Sequence, residues 1–321
     1  MKLGLLGTGM IVKELLPVLS TIEGIELSAI LSTPRSLGTA QELADQYGIG
    51  TAMSDYDEVL ANPDVDTVYV AVPNHLHYDY ARKALLAGKH VICEKPFTLR
   101  LSDLEDLVAI AEQQNLFLLE AITNQYLGNF AYLRDHLSDL GEVKIVSCNY
   151  SQYSSRYDAF KRGEIAPAFD PAQGGGALRD LNIYNIHLVV GLFGRPKRVS
   201  YLPNMERGVD TSGILTMDYG EFKAVCIGAK DCGAAITSTI QGNKGSLVVN
   251  GPTNSMPSVT LALNGKEPQT LDANTPHHRM QAEFVAFEEM IRTDNHVAAQ
   301  AQLEHSLAVM AVLDEAVSSL N

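Results

Sequence analysis

The stretch that decides the fold is GLLGTGMIVKELLPVL, residues 4–19. An apolar run is broken at Gly7-Thr8-Gly9 and is followed by apolar residues at the spacing of a helix. We predict a strand over residues 2–6, a glycine turn, and a helix that ends at Leu19. A second apolar run at residues 25–31 follows the helix at once. The opening of the chain is therefore predicted to be a βαβ unit.

The same alternation continues through the first 120 residues. Apolar runs that are as uniform as these are typical of a parallel sheet covered by helices on both faces. We therefore predict a first domain, residues 1–122, that is a doubly wound α/β sheet. The further predicted helices cover 38–47, 78–87 and 101–114, and the further predicted strands cover 67–72, 90–93 and 116–120.

The pattern changes after residue 123. Two helical stretches, 130–138 and 176–191, surround loops rich in tyrosine and serine. Beyond Pro196, short alternating segments separated by turn residues predict an antiparallel meander of an α+β domain, residues 123–321. These segments are RVSYL, GILTMDYG, FKAVCIGAK, AAITSTIQG and GSLVVNG. Two closing helices are predicted at 278–291 and 302–319, with His277 and His278 in a solvated loop before the first.

Composition excludes several classes of protein. A chain of 321 residues with 46% hydrophobic content is long enough for two cores. A net charge of −14 argues against nucleic acid as a partner, because such a partner requires clustered lysine and arginine. The four cysteines have neither metal-ligand nor disulfide spacing, so we expect buried thiols in a reducing compartment and no metal. No 18-residue apolar span or signal-peptide pattern is found, so we expect a soluble cytoplasmic protein without a membrane contact.

The glycine turn has the chemistry of a phosphate site. Gly7 and Gly9 end a strand and begin a helix, where backbone N–H groups can approach a pyrophosphate at the positive helix end. Val12 replaces the third glycine of the dinucleotide fingerprint, which mainly serves helix-to-strand packing. An ordinary strand-to-helix turn is the alternative. The position within a βαβ unit favours a dinucleotide site.

The end of the second strand predicts which dinucleotide binds. An acidic residue roughly 20 positions after the glycines would select NAD through the ribose 2′-hydroxyl. Here the sequence is ILSTPRS, residues 30–36, in which Ser32, Thr33, Arg35 and Ser36 supply hydroxyls and a guanidinium without a carboxylate. These groups would accept a 2′-phosphate, so we predict NADP, with NAD possible. A solvated loop charge is the other interpretation of Arg35.

Two longer motifs carry a family resemblance that covers essentially the whole chain. VAVPNHLHYDYARKALLAGKHVICEKP, residues 70–96, and GGGALRDLNIYNIHLVVGLFG, residues 174–194, resemble the glucose-fructose oxidoreductase / inositol dehydrogenase / MocA family. The resemblance implies a Rossmann domain followed by an open-faced, mostly antiparallel sheet beside helices. It also implies an active site formed by Lys95, Asp180 and Tyr184. The tyrosine is similar to that of the dimeric dihydrodiol dehydrogenases, whereas inositol dehydrogenases have histidine there.

These three residues suit hydride transfer without the resemblance. Lys95 follows the strand HVICE at the edge where ligands bind in an open α/β sheet, and its ammonium would stabilise negative charge on a reacting oxygen. Asp180 and Tyr184 are four residues apart and would share a helix face, with the glycines at 174–176 permitting a close helix start. A phenol, whose ordinary pKa is about 10, donates a proton more readily beside a cation. The alternatives are a loop lysine, a surface aspartate at a helix start and a core tyrosine.

The resemblance implies further contacts with the cofactor. Asn74 and His77 would lie near the nicotinamide ribose, Glu94 would be a cofactor-contacting acid, and the Lys95-Pro96 peptide would be cis. An ordinary turn with a helix cap is the alternative for the segment around Asn74. The predicted cofactor-binding residues are Gly7, Thr8, Gly9, Met10, Ile11, Ser32, Thr33, Arg35, Pro73, Asn74, His77, Glu94 and Lys95.

The tyrosine-rich loops predict the substrate pocket. Their aromatic side chains would suit a ring or a sugar face. His187 lies one turn beyond Tyr184 and would either reach substrate or pack. Gln125 stands where the dihydrodiol dehydrogenase pattern has arginine, which puts an anion-binding role there in doubt. The predicted substrate residues are Tyr126, Tyr153, Tyr157, Phe169 and His187.

The leading hypothesis is an NADP-dependent oxidoreductase. It would move a hydride between nicotinamide and a carbinol or carbonyl carbon of a sugar, polyol or cyclic diol. A non-catalytic sensor of nucleotide or sugar and an NAD-dependent glycosidase are the alternatives on the same scaffold. The alternating strands after Pro196 would leave one sheet face uncovered, so we expect a homo-oligomer, namely a dimer.

Overall fold

The structure of the protein is a computed structural model that describes residues 1–275 and 278–319. The chain divides into two units. Unit 1 comprises Met1–Ala121 and Met280–Leu307, and unit 2 comprises Ile122–Arg279 and the chain from Ala308 onward. His277, predicted to precede a helix, lies outside the described residues.

Unit 1 contains a six-stranded sheet in which all paired strands are parallel. Its strands are β1 (Lys2–Leu6), β2 (Glu26–Leu31), β3 (Thr51–Met53), β4 (Thr67–Val70), β5 (His90–Glu94) and β6 (Leu118–Ala121). Their order across the sheet is β3-β2-β1-β4-β5-β6. This is the strand order of a dinucleotide-binding Rossmann sheet, and the predicted doubly wound fold is confirmed.

The helices alternate with the strands of unit 1 and then continue in unit 2. In chain order they are α1 (Met10–Leu19), α2 (Leu37–Tyr47), α3 (Tyr56–Ala61), α4 (His77–Leu86), α5 (Leu101–Gln114), α6 (Gly128–Asp135), α7 (Tyr157–Lys161), α8 (Ile183–Phe193), α9 (Gln281–Arg292) and α10 (His296–Ser318). Within the part of the chain that the structure describes, no helix combines the length and apolar character needed to span a bilayer.

The core of unit 1 is built where the sequence is most apolar. Leu3 and Leu5 of β1 are fully buried, and so are Leu15 and Leu16 of α1. The short elements β3 and α3 were not predicted. All three residues of β3 are only half-buried at the edge of the sheet, so the strand lacks the apolar run that marks the others.

The segment Met280–Leu307 packs with unit 1 although it is distant in sequence. The ring of Phe284 in α9 lies perpendicular to that of Tyr69 in β4, with 5.3 Å between centroids. The hydroxyl of Ser306 in α10 donates to Glu120 of β6 at 2.6 Å. The sequence-based division at residue 122 grouped this segment with the second domain, because chain order alone does not reveal such returns.

Unit 2 contains an eight-stranded, mostly antiparallel sheet. Its strands are β7 (Val143–Ser151), β8 (Arg198–Glu206), β9 (Val209–Asp218), β10 (Lys223–Ala229), β11 (Thr237–Gly242), β12 (Gly245–Asn250), β13 (Val259–Leu263) and β14 (Gln269–Leu271). Their order is β14-β13-β12-β11-β7-β10-β9-β8. The predicted antiparallel sheet is confirmed in outline.

The predicted meander is wrong at one point. Strand β7, which was assigned to loops, inserts between β10 and β11 and pairs with β10 in parallel. Val146, Cys148 and Tyr150 of β7 are buried at alternate positions, so the sequence carried a period-two pattern in this segment. The sheet is therefore mixed, and its centre is formed by a strand that comes before the meander in the chain.

The predicted helix over 176–191 also needs a correction. It begins with a π-helical turn, Leu178–Asn182, and continues as α8. Single π-helical turns occur frequently at functional sites. Asp180 therefore lies in the π-helical turn and Tyr184 in α8, so their spacing is not that of a regular α-helix.

Candidate active site

The first turn of unit 1 is open at the start of α1. Gly7 has φ +120°, and a β-carbon on it would lie 2.7 Å from the carbonyl oxygen of Ala71. Among the described residues, no atom beyond its chain neighbours lies within 4 Å of a β-carbon placed on Gly9. The first turn of α1 contains no acidic side chain, and Met10 is exposed. These residues fit a pyrophosphate, because backbone N–H groups and the positive helix end point into open space.

Val12 occupies the third position of the glycine fingerprint and is fully buried. It therefore serves as a core residue between α1 and the sheet. The substitution leaves the phosphate side of the turn unchanged, since Gly7 and Gly9 keep the two positions that border it.

The end of β2 presents hydroxyl groups and one cation. Ser32 is buried and donates to the carbonyl of Thr33 at 3.1 Å, while the hydroxyls of Thr33 and Ser36 are 2.8 Å apart. Arg35 is exposed in the short turn Pro34–Ser36. Within residues 1–275 and 278–319, no carboxylate pairs with Arg35. The guanidinium is therefore available to an anion at this edge of the sheet.

His77 connects two loops at the carboxyl ends of β4 and β5. Its Nδ1 lies 2.9 Å from the carbonyl oxygen of Pro96, and its Nε2 lies 2.9 Å from that of Val72. The ring is fully buried. Burial lowers the pKa of His77, the charge of Lys95 lowers it further, and the two carbonyls oppose this effect. This geometry argues against a direct contact between His77 and a cofactor, and indicates that the ring holds the loop after Lys95.

Lys95 lies directly after β5 and is half-buried. The Lys95-Pro96 peptide is cis, as the resemblance implied. The preceding residue, Glu94, accepts a short hydrogen bond from the hydroxyl of Tyr69. Burial, together with the Glu94 carboxylate, raises the pKa of Tyr69 well above its ordinary value. The carboxylate of Glu94 is therefore held in place by a side chain from the interior of unit 1.

Asp180 and Tyr184 belong to unit 2. Asp180 Oδ2 accepts a hydrogen bond from Nζ of Lys230 at 2.8 Å, and 35% of the Asp180 side chain is exposed. Tyr184 is mostly buried, and its ring centroid lies 6.3 Å from that of Tyr150. The backbone carbonyl of Tyr184 accepts from the side-chain amide of Asn124 at 2.9 Å. Sequence reasoning missed Lys230, because a lysine at the end of an alternating strand carries no local sign of burial.

The glycine run before Asp180 is needed for a close approach. Gly176 has φ +119°, and a β-carbon on it would lie 1.9 Å from a carboxylate oxygen of Asp210. The other oxygen of Asp210 accepts from the backbone N–H of Leu178 and the hydroxyl of Tyr201, both at 2.7 Å. The expectation that the glycines let the helix start close against another surface is confirmed.

Buried amides fasten the helix that carries Tyr184 to β10. Asn182 donates to the carbonyl of Cys226 and Asn185 to that of Ile227, each at 3.0 Å. A β-carbon on Gly228 would lie 2.6 Å from Cβ of Asn182. The absence of a side chain at this point lets the helix and the strand approach closely.

The predicted substrate residues divide by burial. Phe169 and His187 are fully buried, which argues against direct substrate contact, because neither side chain reaches the surface. Tyr126 is half-buried and Tyr153 is exposed. The hydrogen bond to Glu206 raises the pKa of Tyr157 to about 12. Tyr153 and Tyr157 pack edge to face, with 5.5 Å between their ring centroids.

Gln125, where the related pattern has arginine, holds α8 in place. Its Nε2 donates to the carbonyl of His187 at 3.0 Å and to the side chain of Asn124 at 2.9 Å. A β-carbon on Gly191 would lie 2.4 Å from Oε1 of Gln125. The amide therefore binds to the backbone of the helix that carries Tyr184.

A Rossmann sheet with an open first turn defines a dinucleotide-binding class of protein. The family model described as the oxidoreductase family, NAD-binding Rossmann fold, matches residues 1–121, and that of the GFO/IDH/MocA C-terminal domain matches residues 133–248. The chain belongs to the Gfo/Idh/MocA oxidoreductase family. It is an NAD(P)-dependent dehydrogenase or reductase.

Named relatives agree with this assignment, and a solved structure has the same fold. The chain is 33% identical to scyllo-inositol 2-dehydrogenase (NADP(+)) IolU of Bacillus subtilis, over 98% of this chain and 95% of the relative. It is 28% identical to trans-1,2-dihydrobenzene-1,2-diol dehydrogenase of Xenopus tropicalis, over 83% of this chain and 79% of the relative. The same fold is found in KijD10, a 3-ketoreductase from Actinomadura kijaniata that was solved with NADP and TDP-benzene. The TM-score is 0.85 at 24% sequence identity, and the match covers 99% of this chain and 97% of KijD10.

Proposed function

We propose that this protein is an NADP-preferring oxidoreductase. It moves a hydride between nicotinamide and a carbinol or carbonyl carbon of a sugar, polyol or cyclic diol. The observation that carries the cofactor preference is the end of β2, where Arg35 and neighbouring hydroxyls stand in place of a carboxylate. The NADP-dependent relative from B. subtilis supports the same preference.

The substrate class rests on the relatives and on the tyrosine-rich loops. The named relatives act on an inositol and on a dihydrodiol, both of which carry hydroxyl groups on a six-membered ring. The aromatic pair Tyr153 and Tyr157 is suited to packing against the face of such a ring. Phe169 supports this surface from the interior, with its ring centroid 6.0 Å from that of Tyr157.

The proposed mechanism assigns one task to each of three side chains. When bound, the nicotinamide ring donates or accepts the hydride. The ammonium of Lys95 stabilises negative charge that develops on the substrate oxygen. The hydroxyl of Tyr184 donates a proton to that oxygen in reduction and removes it in oxidation. Asp180 remains an anion that holds Lys95 charged and oriented.

The remaining parts of the proposal concern assembly and location. Unit 1 binds the cofactor, and unit 2 supplies substrate residues and a dimer surface. The four cysteines are free, which fits a cytoplasmic protein. Three of them are buried, but Cys232 is exposed, so the expectation of buried thiols is wrong at that position.

The test has two stages. Nucleotide fluorescence compares the binding of NADPH and NADH, and absorbance at 340 nm then follows turnover with a panel of aldoses, inosose ketones and dicarbonyls. We expect tighter binding of NADPH and turnover of at least one cyclic or sugar carbonyl. Binding without turnover by any member of the panel would favour a sensor, and sugar release without net nicotinamide change would favour a glycosidase.

A further inference from the structure

A buried lysine of unit 2 is bonded to the proposed active-site aspartate. Lys230 follows β10 directly, and its side chain is 2% exposed. Its Nζ donates to Asp180 Oδ2 at 2.8 Å and to the carbonyl oxygen of Ala168. The same ammonium lies 4.2 Å from the ring centroid of Phe169.

The chemistry of this environment requires a negative partner. An ammonium without a counter-charge is strongly disfavoured in a protein interior. The carbonyl of Ala168 and the face of Phe169 offer partial negative charge, and Asp180 offers a full one. The favourable state of this pair is therefore the one in which Lys230 is protonated and Asp180 is ionised.

The position of the pair is set by the packing of the helix on the sheet. Asn182 and Asn185 donate to the β10 carbonyls of Cys226 and Ile227, four and three residues before Lys230. The backbone N–H of Lys230 donates to the carbonyl of Thr211 in β9 at 2.8 Å. The strand and helix that hold the two charges are thus fixed to each other by buried hydrogen bonds.

We propose that Lys230 is a positioning residue, which keeps Asp180 ionised and fixes the direction of its carboxylate. This inference rests on the proposed function for the role of Asp180 in turnover. One oxygen of Asp180 is tied to a buried cation while the side chain keeps 35% exposure. An ionised carboxylate held in this way accepts hydrogen bonds and gives no proton, so the proton for the substrate oxygen comes from Tyr184.

Other titratable groups lie on the elements around the pair. They are Arg179 and Tyr184 on the helix, Tyr150 on β7, Asp210 on β9 and Asp231 beside Lys230. Asp210 accepts hydrogen bonds from Tyr201 and from the backbone of Leu178, and Asp231 accepts from the hydroxyls of Thr211 and Ser212. All of these groups remain when Lys230 alone is replaced.

The direct test is an NMR titration of the aspartate carboxyl carbons in the full chain. The Asp180 signal is assigned by its loss in Asp180→Asn. In the wild type we expect it to titrate below the ordinary aspartate value of about 3.9. In Lys230→Met we expect its midpoint to rise by about 1–3 pH units, because the cation that favours the ionised form is gone.

A surface lysine provides the matched control. Lys144 is bonded to Glu142 at the same kind of distance, 2.7 Å, and its side chain is 55% exposed. Lys144→Met should leave the Asp180 midpoint unchanged. Should Lys230→Met fail to fold, the wild-type titration still decides, since a wild-type midpoint above the ordinary value would overturn the proposal. Equal midpoints in the wild type and a folded Lys230→Met would overturn it as well.

Turnover adds the link to catalysis. When kcat/KM is measured as a function of pH, its acidic limb in Lys230→Met should move to higher pH by the same amount as the NMR midpoint of Asp180. A displaced NMR midpoint with an unmoved limb would show that Asp180 ionisation is not needed for turnover and would overturn the positioning role. Absence of wild-type turnover with any carbonyl compound would instead contradict the proposed function, and the NMR result would still decide whether Lys230 controls Asp180.

Discussion

At the scale of single residues, several of the polar side chains singled out by the sequence are held by partners in the interior. Glu94 is bonded to a buried tyrosine, and Asp180 to a buried lysine. His77 is held between two backbone carbonyls. Side chains restrained in this way keep one orientation, which is what a catalytic or binding group requires.

Replacement of Lys95 tests the proposed electrostatic role. Lys95→Met should retain NADPH binding and lose about 10²–10⁴-fold in turnover, because a positioned cation acts on charge that develops only during reaction. Nucleotide fluorescence and the 340 nm assay measure the two effects. Lys83→Met removes a surface lysine of the same unit that pairs with Asp57, and should behave as the wild type. Near-normal turnover of Lys95→Met would contradict the assignment of Lys95 as the residue that stabilises charge on the substrate oxygen.

Replacement of Arg35 tests the cofactor preference. Arg35→Ser should weaken NADPH binding about 10–100-fold, because a charge-assisted hydrogen bond to the 2′-phosphate is lost. NADH affinity should stay the same, since NADH lacks that phosphate. Arg162→Ser, an exposed arginine of unit 2, serves as the control. An equal loss for both nucleotides would instead mean that Arg35 acts on a part that the two cofactors share.

At the scale of elements, the start of the α8 helix depends on glycines and a buried carboxylate. Asp210 caps the π-helical turn by accepting from the backbone of Leu178. Asparagines then fasten the helix to β10, so the residues on one face of the helix are fixed against the end of that strand. The sequence revealed the glycines and the helix but not the capping carboxylate, which lies 32 residues away from Leu178.

Gly176→Ala tests this arrangement. The new methyl group would need the space of Asp210 and a positive φ, so we expect a loss of about 2–3 kcal/mol in the free energy of unfolding. Chemical denaturation measures it. Gly265→Ala is the control, because Gly265 also has positive φ but no described atom crowds it, and its cost should be near 1 kcal/mol. Equal costs at the two positions would contradict a role for the contact with Asp210.

At the scale of the whole molecule, one face of the eight-stranded sheet carries an apolar stripe. Leu202, Ile214 and Ile227 are register partners across β8, β9 and β10. Leu202 is 66% exposed and Ile214 is 42% exposed. An exposed apolar stripe of this kind favours association with a second copy.

Light scattering tests the association. The wild type should have twice the 34.8 kDa mass of one chain, and Leu202→Lys should shift the mass toward a single chain by placing a charge on the stripe. Ile165→Lys is the control, since Ile165 is also exposed, at 52%, but lies in a loop outside the sheet. A wild-type mass near 34.8 kDa would contradict the proposed dimer.

The sequence by itself determined the doubly wound fold of the first domain, the glycine turn, the basic and hydroxyl-bearing end of β2 and the family. These features can be predicted locally, because the hydrophobic periodicity of strands and helices and the positions of turn glycines depend on residues that are close in sequence. Only the tertiary structure decided that β7 lies between β10 and β11, that Met280–Leu307 returns to unit 1, that Phe169 and His187 are interior, and that Lys230 pairs with Asp180. Those features depend on which distant segments pack together. A charged side chain is tolerated in the interior only when the fold places an opposite charge next to it.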